Sequence, residues 1–527
     1  MALPRTLSIR SARRFVDALV WLPALVACVY VATVVVLFPR LIHGLYWHSD
    51  AAALPVIAEA LRGSGDVIIP HLGVWSSLWW LLATRDLPGH VQLWEATGYA
   101  FALVGVTLVG WATARVAGLW AGVTAAAIAL MIGPDALRWL LSVNFHVSTP
   151  FTAAVLAAYL VALPSHRSLL LAALVGLIAG VNAASDPLLW VAGIAPFAIA
   201  VGCLAYWTRR RDVAGRGGLV LGLAVISAFS TSAIMESLGF KAVLRENHLA
   251  AVQDLPGNAA HFARIVALLG GANYTFPPGY PLDPIRPLIA LLVLLGVTVP
   301  VVVGLWLLLV RADPVLRSYA VFWASAVLVL GASIIGTPNA SDLGPLSVHY
   351  TFTLALAVGA GVALLASRSR RAQLVVALVV AAIGVSNVVG LAQGRADHSG
   401  GAIERYQRPV TAMLVRKGIT RGYAGYWNAH SLTWNSRMRL MVAPVTWDRH
   451  IGLCRYRWNT IDSWFEDRGG PTFLIVDPTT PFMNSNPTFV DRATEVRRYG
   501  PLTVYLFDYD LARHFPAAKG PRTPCRT

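Results

Sequence analysis

Pro187–Glu236 reads PLLWVAGIAPFAIAVGCLAYWTRRRDVAGRGGLVLGLAVISAFSTSAIME. Two apolar runs, 187–208 and 218–236, flank a short connection that holds Arg209, Arg210, Arg211 and Arg216. A helix needs roughly 20 apolar residues to cross a bilayer, and arginines collect in the short connections kept in the cytoplasm. The same unit recurs along the chain. Runs of this kind are expected at about 17–39, 91–114, 117–133, 147–164, 168–184, 286–310, 318–336, 350–367 and 373–392, making about eleven transmembrane helices.

The other arginines keep the same alternation. Arg5, Arg10, Arg13 and Arg14 precede the first run, Arg115 follows the second and Arg167 the fourth. Arg311 and Arg317 follow the eighth, and Arg368, Arg370 and Arg371 the tenth. The expectation is a multi-pass protein of the cell inner or plasma membrane, N-terminus cytoplasmic and C-terminus outside. The first run is too long for a cleaved signal peptide, and Cys28-Val29-Tyr30 offers no small-residue cleavage site.

Composition agrees. Of 527 residues, 56% are hydrophobic and 13% charged, with a mean hydropathy of +0.61. Soluble domains average about 25% charged residues, so a cytosolic enzyme, a disordered regulator and a secreted disulfide scaffold are all excluded. The net charge of +16 sits in the arginine connections, where it sets orientation, and no nucleic-acid partner is expected. There is no Gly-x-Gly-x-x-Gly after a strand, no P-loop and no Cys-x-x-Cys pair. Charge within the runs is sparse, which weighs against an ion or proton pathway.

The other face carries the long segments. The first outer loop, 40–90, reads as a surface helix over Ala51–Leu61 and a half-buried one over His71–Ala83, with Trp75, Trp79 and Trp80 at interfacial depth. The fourth, 237–285, holds Lys241, Arg245, His248, His261 and Arg264. Near Gln393 the composition turns polar and aromatic. The chain is therefore read as a membrane module over 1–392 and an extracytoplasmic α/β domain over 393–527. In that domain Arg439–Val445, Phe473–Asp477 and Leu502–Phe507 read as strands, and Gln407–Lys417 and Ile461–Arg468 as helices. Cys28 and Cys203 lie in apolar runs, leaving Cys454 and Cys525 as the plausible disulfide pair in an oxidising space.

Acidic residues number only 26, so their placement carries information. Asp50, in Tyr46-Trp47-His48-Ser49-Asp50, lies just beyond the first run. A carboxylate there can act as general base toward an attacking hydroxyl. It, or Ser49, equally suits an N-cap for the helix beginning at Ala51, and both roles can hold. Asp135 fits the cap of a short helix reaching Arg138 and Trp139. Asp186 lies in the tight turn before Pro187, where capping is the plainer reading. His146 becomes a metal ligand or hydrogen-bond donor only if a carboxylate faces it. His349 and Tyr350 close the fifth outer loop, where a belt tyrosine is the plainer reading.

This layout resembles the GT-C superfamily of membrane glycosyltransferases, near glycosyltransferase family 39 and the protein mannosyl-, aminoarabinose and mycobacterial arabinofuranosyl transferases. The resemblance rests on several segments in order. These are Trp47-His48-Ser49-Asp50, Pro70-His71-Leu72 through Trp80, Ala114-Arg115-Val116-Ala117-Gly118 and Val348-His349-Tyr350-Thr351-Phe352. Gly422-Tyr423-Ala424-Gly425-Tyr426-Trp427 then resembles the opening strand of the outer domain. Two departures stand out: Asp50 is followed by Ala51-Ala52 rather than an acidic neighbour, and His349 stands where the family often has arginine.

The resemblance implies a polytopic α-helical, GT-C-like membrane protein that moves a sugar from a polyprenyl-phosphate donor to an envelope glycan, lipid or protein acceptor, with inversion. It makes Asp50 the catalytic base, and Asp135, Asp186 and His146 the groups that orient the acceptor or hold a divalent metal ion. Arg62, Arg138, Lys241, Arg245, Arg264, His349 and Tyr350 become candidate contacts to the donor phosphate. Trp427 and Trp434 become candidate acceptor contacts, since aromatic faces pack on sugars, although ordinary core packing is the plainer reading for most aromatics of the domain. A lipid or glycolipid translocase, or a non-catalytic assembly subunit, shares the membrane context and stays open at this point.

Overall fold

The chain is described from a computed structural model. It describes residues 17–42, 49, 52–53, 56–57, 67–69, 91–141, 146, 148–237, 240–242, 249–272, 286–310, 312–338, 348–394, 400–448, 452–456, 460–478 and 490–515. The helices of the first part are α1 Leu22–Ile42, α2 Val91–Ala117, α3 Leu119–Leu130, α4 Pro134–Leu141, α5 Ser148–Ala162 and α6 Leu169–Ser185. A π-helical turn, Trp190–Ile194, then opens α7 Ala195–Thr208, and α8 Arg211–Ser237, α9 Leu255–Leu269, α10 Arg286–Leu309, α11 Pro314–Ile335, α12 Phe352–Ala366 and α13 Arg370–Ala392 follow. Each of the expected runs holds a helix. Among the described residues eight helices are long and apolar enough to cross a membrane, and a ninth passes if α3 and α4 count as one broken span. The protein is a multi-pass membrane protein.

The third run differs from expectation. Instead of one span over 117–133, α3 stops at Leu130 and α4 leaves at 84°. Gly133-Pro134 explains the restart, because proline suits the first position of a helix and a Cβ on Gly133 would collide with the Gly271 backbone. The freed backbone groups are satisfied from three directions. Asn387 Nδ2 donates to Met131 O at 2.9 Å, Tyr30 Oη donates to Ile132 O at 2.7 Å, and Gly133 N donates to Leu269 O at 2.8 Å. A break between helices of a membrane bundle is tolerated where such partners satisfy the freed backbone groups.

Elsewhere the bundle packs through small residues. Gly176 and Gly180 of α6 lie against Val220, Ala224 and Ser227 of α8, with no room for a Cβ. The arginine-bearing connections meet at one end, where Arg370 pairs with Asp17 and Arg210 donates to Pro164 O at 2.9 Å. Nearby guanidiniums lie over indoles, Arg317 over Trp207 at 4.0 Å and Arg368 over Trp306 at 4.4 Å.

The opposite end carries the α/β domain. Its elements are α14 Gly400–Arg416, β3 Arg421–Gly425, α15 Tyr426–Asn435, β4 Met441–Asp448, β5 Gly452–Arg455, β6 Thr460–Ile461, β7 Thr472–Val476, β8 Glu495–Tyr499 and β9 Leu502–Phe507. The main sheet runs β5-β4-β3-β7-β9-β8, with β3 parallel to both β4 and β7. Side chains alternate across it, as a pleated strand dictates. Phe473, Ile475, Val504 and Leu506 face α14 and α15, while Leu474, Val476, Tyr505 and Phe507 share a core with Val56, Ile57 and Met235 of the membrane module. A second small sheet ties loops to the domain: Val67–Ile69 (β1) pairs with Phe240–Ala242 (β2) on one side and with β6 on the other.

Three expected strands of the domain are present. The expected helix Ile461–Arg468 is not: it is the end of β6 followed by a single 3₁₀ turn, Asp462–Phe465. Pairing of Thr460 and Ile461 with β1 takes its start into a sheet, and Gly469 and Gly470 with φ of +68° and +82° follow its end. Cys454 is disulfide-bonded, whereas Cys28 and Cys203 are free. Cys525 lies outside the described residues.

Candidate active site

At the domain end, three helix termini bring together residues far apart in sequence. His146 precedes α5, Asp186 follows α6, and His349 and Tyr350 lie in a 3₁₀ turn before α12. Asp186 is fully buried. Its Oδ1 accepts from Leu188 N at 3.0 Å, capping the next helix as the Pro187 context suggests. Its Oδ2 accepts from the Thr149 hydroxyl and bonds His146 Nδ1 at 2.9 Å. One carboxylate therefore caps a helix and orients an imidazole. With Nδ1–H donating to Asp186, Nε2 is the acceptor atom of the His146 ring.

Around this pair lies a compact aromatic group. The His146 and His349 rings stack at 4.8 Å and 13°, and Tyr350 meets His146 edge-on at 4.7 Å. Trp139 of α4 lies 6.3 Å from His349, and the Arg138 guanidinium lies 5.7 Å from the Trp139 ring. The α3–α4 break matters here, since α4 carries Asp135, Arg138 and Trp139 to this end of the bundle. Asp135 is in its first turn and half-buried.

Next to α5 and α6 a polar pair reaches into the bundle: Asn182 Nδ2 donates to Thr152 Oγ1 at 2.6 Å, and Thr152 Oγ1 donates to Ser148 O at 2.9 Å. Sequence reading passed over Thr149, because Ser148-Thr149-Pro150 reads as an ordinary helix start. It also passed over the contact between Ser49 and α15, where the buried Ser49 Oγ accepts from His430 N at 3.2 Å. The residue after Ser49 is Asp50. His430 is itself fully buried, and desolvation pushes its pKa down to about 3.

Of the expected site residues, His146, Asp186, His349 and Tyr350 converge, and Arg138 lies against the Trp139 ring beside them. Asp50, Arg62 and Arg245 lie outside the described residues. Lys241 is in β2, opposite Ile68 of β1. Arg264 is exposed on α9, three residues after His261. Trp434 is half-buried and packs against both the membrane core and the domain core, and Trp427 lies 5.2 Å from Tyr426.

A divalent ion would need a set of open donors. Among the described residues no three His, Cys, Asp or Glu side chains gather, and both Asp186 oxygens already accept hydrogen bonds. The described donors do not fit a metal, and no step is routed through one.

Fold and cluster define a polytopic α-helical membrane protein with a C-terminal α/β domain and a buried carboxylate–imidazole pair at the ends of α5 and α6. Comparison with known proteins finds no matching family model and no matching curated protein. Among solved structures, the chain is similar to ArnT from Cupriavidus metallidurans bound to undecaprenyl phosphate, at 15% identity and a TM-score of 0.43, covering 90% of this chain and 97% of that one. It is also similar to the Archaeoglobus fulgidus oligosaccharyltransferase in complex with Zn and sulfate, at 11% identity and a TM-score of 0.48. That match covers 80% of this chain and 62% of the other. The archaeal enzyme AglB, in complex with an inhibitory peptide and a dolichol-phosphate, is similar at 12% identity and a TM-score of 0.46, over 80% and 64% of the two chains. At scores below 0.5 these stay likenesses.

Proposed function

We propose that the chain is a GT-C-type membrane glycosyltransferase that moves a sugar from a polyprenyl-phosphate donor to an envelope glycan, lipid or protein acceptor on the outer face, with inversion. The observation that carries this reading is the cluster of His146, Asp186, His349 and Tyr350 at the ends of α5, α6 and α12. A lipid-linked donor brings an apolar tail and a phosphate at headgroup depth, and this end of the bundle offers apolar helix walls with cationic and phenolic groups between them. A translocase has no need of a buried carboxylate that fixes an imidazole, so the cluster favours transfer.

Asp50 is the base of the proposed reaction. Its carboxylate takes the proton of the acceptor hydroxyl as that oxygen forms a bond to the anomeric carbon from the face opposite the phosphate. The anomeric C–O bond to phosphate breaks, and polyprenyl phosphate leaves with the electron pair. Arg138, His349 and Tyr350 suit the charge that builds on the leaving phosphate. His146, held by Asp186, orients the acceptor hydroxyl through Nε2. The contact of Ser49 with His430 N supports a fixed backbone next to Asp50.

The test compares cells carrying the wild-type protein with cells carrying Asp50→Asn at matched expression, reading polyprenyl-phosphate lipids and envelope glycans by mass spectrometry. The proposal expects a polyprenyl-phosphosugar to accumulate while one glycan residue disappears. Unchanged lipids and glycans would remove Asp50 from catalysis and favour the translocase or assembly reading.

A further inference from the structure

Away from the membrane junction, the α/β domain holds a cavity of about 510 Å³ between α14 and the end of α15, lined by Arg408, Thr411, Ala412, Val415, Arg416, Asn435 and Arg439. Its size falls in the range of small-molecule sites, and three of its walls are guanidinium groups. Arg408 pairs with Glu404, so the lining carries more positive charge than negative.

The backbone beside the cavity is unusual. Arg437 and Met438 follow α15 in the left-handed region, at φ of 57° and 59°, without a glycine. Non-glycine residues persist there only where their surroundings over-determine them, and such strain gathers at functional sites. Here Met438 N donates to Thr433 O at 3.1 Å, Arg437 N to Trp434 O at 2.8 Å, and Leu440 N to Ser436 Oγ at 2.9 Å. The strained turn delivers Arg439 to the cavity wall, with its Nε donating to Ser436 O at 3.1 Å. That bond sets the direction of the side chain.

We propose that this cavity binds an anionic saccharide, a sugar bearing a carboxylate or a phosphate ester. Guanidinium forks match both groups bidentately. The choice of a saccharide over a lipid headgroup rests on position. The cavity lies in the helix layer on one face of the sheet, whereas the opposite face packs on Val56, Ile57 and Met235 of the membrane module. The site stands apart from the transfer chemistry and is tested by binding alone.

Full-length protein in nanodiscs of neutral phosphatidylcholine is titrated calorimetrically with trigalacturonate, and with maltotriose as the uncharged probe. The expected result is binding of trigalacturonate that weakens at least tenfold in Arg416→Gln/Arg439→Gln. Maltotriose is expected to bind at least tenfold more weakly than trigalacturonate. Arg416→Gln alone, expected to fall between, gives a milder variant should the double one unfold. No trigalacturonate binding by the wild type, or equal binding by the wild type and folded variants, overturns the proposal. So does binding of glycerol 1-phosphate that is at least as tight as that of trigalacturonate and lost in the same variants, which would assign the cavity to a lipid headgroup.

Discussion

Asp186 illustrates how one side chain serves structure and chemistry together. Asp186→Asn keeps a cap acceptor but replaces one carboxylate oxygen with a donor, or turns the amide so that the cap fails. With the amide nitrogen toward His146 the opposite tautomer is imposed, with the proton on Nε2, and with the amide turned the oxygen still accepts from Nδ1–H but the charge and the cap to Leu188 N are lost. Transfer activity of Asp186→Asn is expected to fall about 100-fold, the order that misplacing a reacting group costs, and His146→Gln should fall as far. Because the two act as one unit, the double variant should be no slower than the worse single one, which a rate measurement on the three proteins checks. His430 makes a second, independent prediction. Its folded pKa of about 3 lies below the ordinary 6.5, so between those values the unfolded chain binds more protons. Stability therefore falls as pH drops from 6.5 toward 3, by up to about 1.4 kcal/mol per pH unit, and His430→Leu should flatten that slope in thermal unfolding followed by tryptophan fluorescence. At this scale the sequence nominated His146, Asp186, His349 and Tyr350. Their stacking was invisible in it, because His146 and His349 meet only once α5 and α12 are packed.

Among the elements, the α3–α4 break shows what hydropathy cannot convey. Counting apolar residues over 117–133 gives one span, yet Gly133-Pro134 and the partners supplied by Tyr30, Leu269 and Asn387 permit a bend. Asn387→Leu would leave Met131 O and Gly270 O short of a donor. A buried unsatisfied carbonyl costs about 1–3 kcal/mol, so this variant should melt measurably lower and lose activity through α4, in contrast to an exposed control such as Val385→Leu. The α/β domain failed the sequence in the opposite way. Tyr426–Asn435 is a helix built of Trp, Asn, His, Ser and Thr, weak helix formers that α15 tolerates because Ala429 and Leu432 are buried in the sheet core. Ile461–Arg468 carried an amphipathic spacing through Trp464 and Phe465, and pairing with β1 overrode it. The long apolar runs, where burial in lipid demands helix whatever the neighbours, were the legible part.

On the scale of the whole molecule, bundle and domain are one folding unit in practice. The core that holds Tyr423, Leu474 and Phe507 also holds Val56, Ile57 and Met235, and Trp434 reaches both this core and that of the bundle. Cutting the chain after residue 392 should therefore expose apolar surface at the membrane junction and yield aggregated rather than monodisperse protein by size exclusion. The domain also holds Ser49, the residue before Asp50, through His430 N, so the proposed reaction depends on docking as much as on any single side chain. The central claim is that this junction transfers a sugar from polyprenyl phosphate. The direct measurement gives purified full-length protein the lipid extracted from cells carrying Asp50→Asn, together with wild-type-depleted envelope acceptor, and follows release of free polyprenyl phosphate and the anomeric configuration of the product. The account predicts release with inversion by the wild type, about 100-fold slower release by Asp186→Asn and none detectable by Asp50→Asn. Equal release by all three proteins, or an intact lipid after incubation with the wild type, would contradict it.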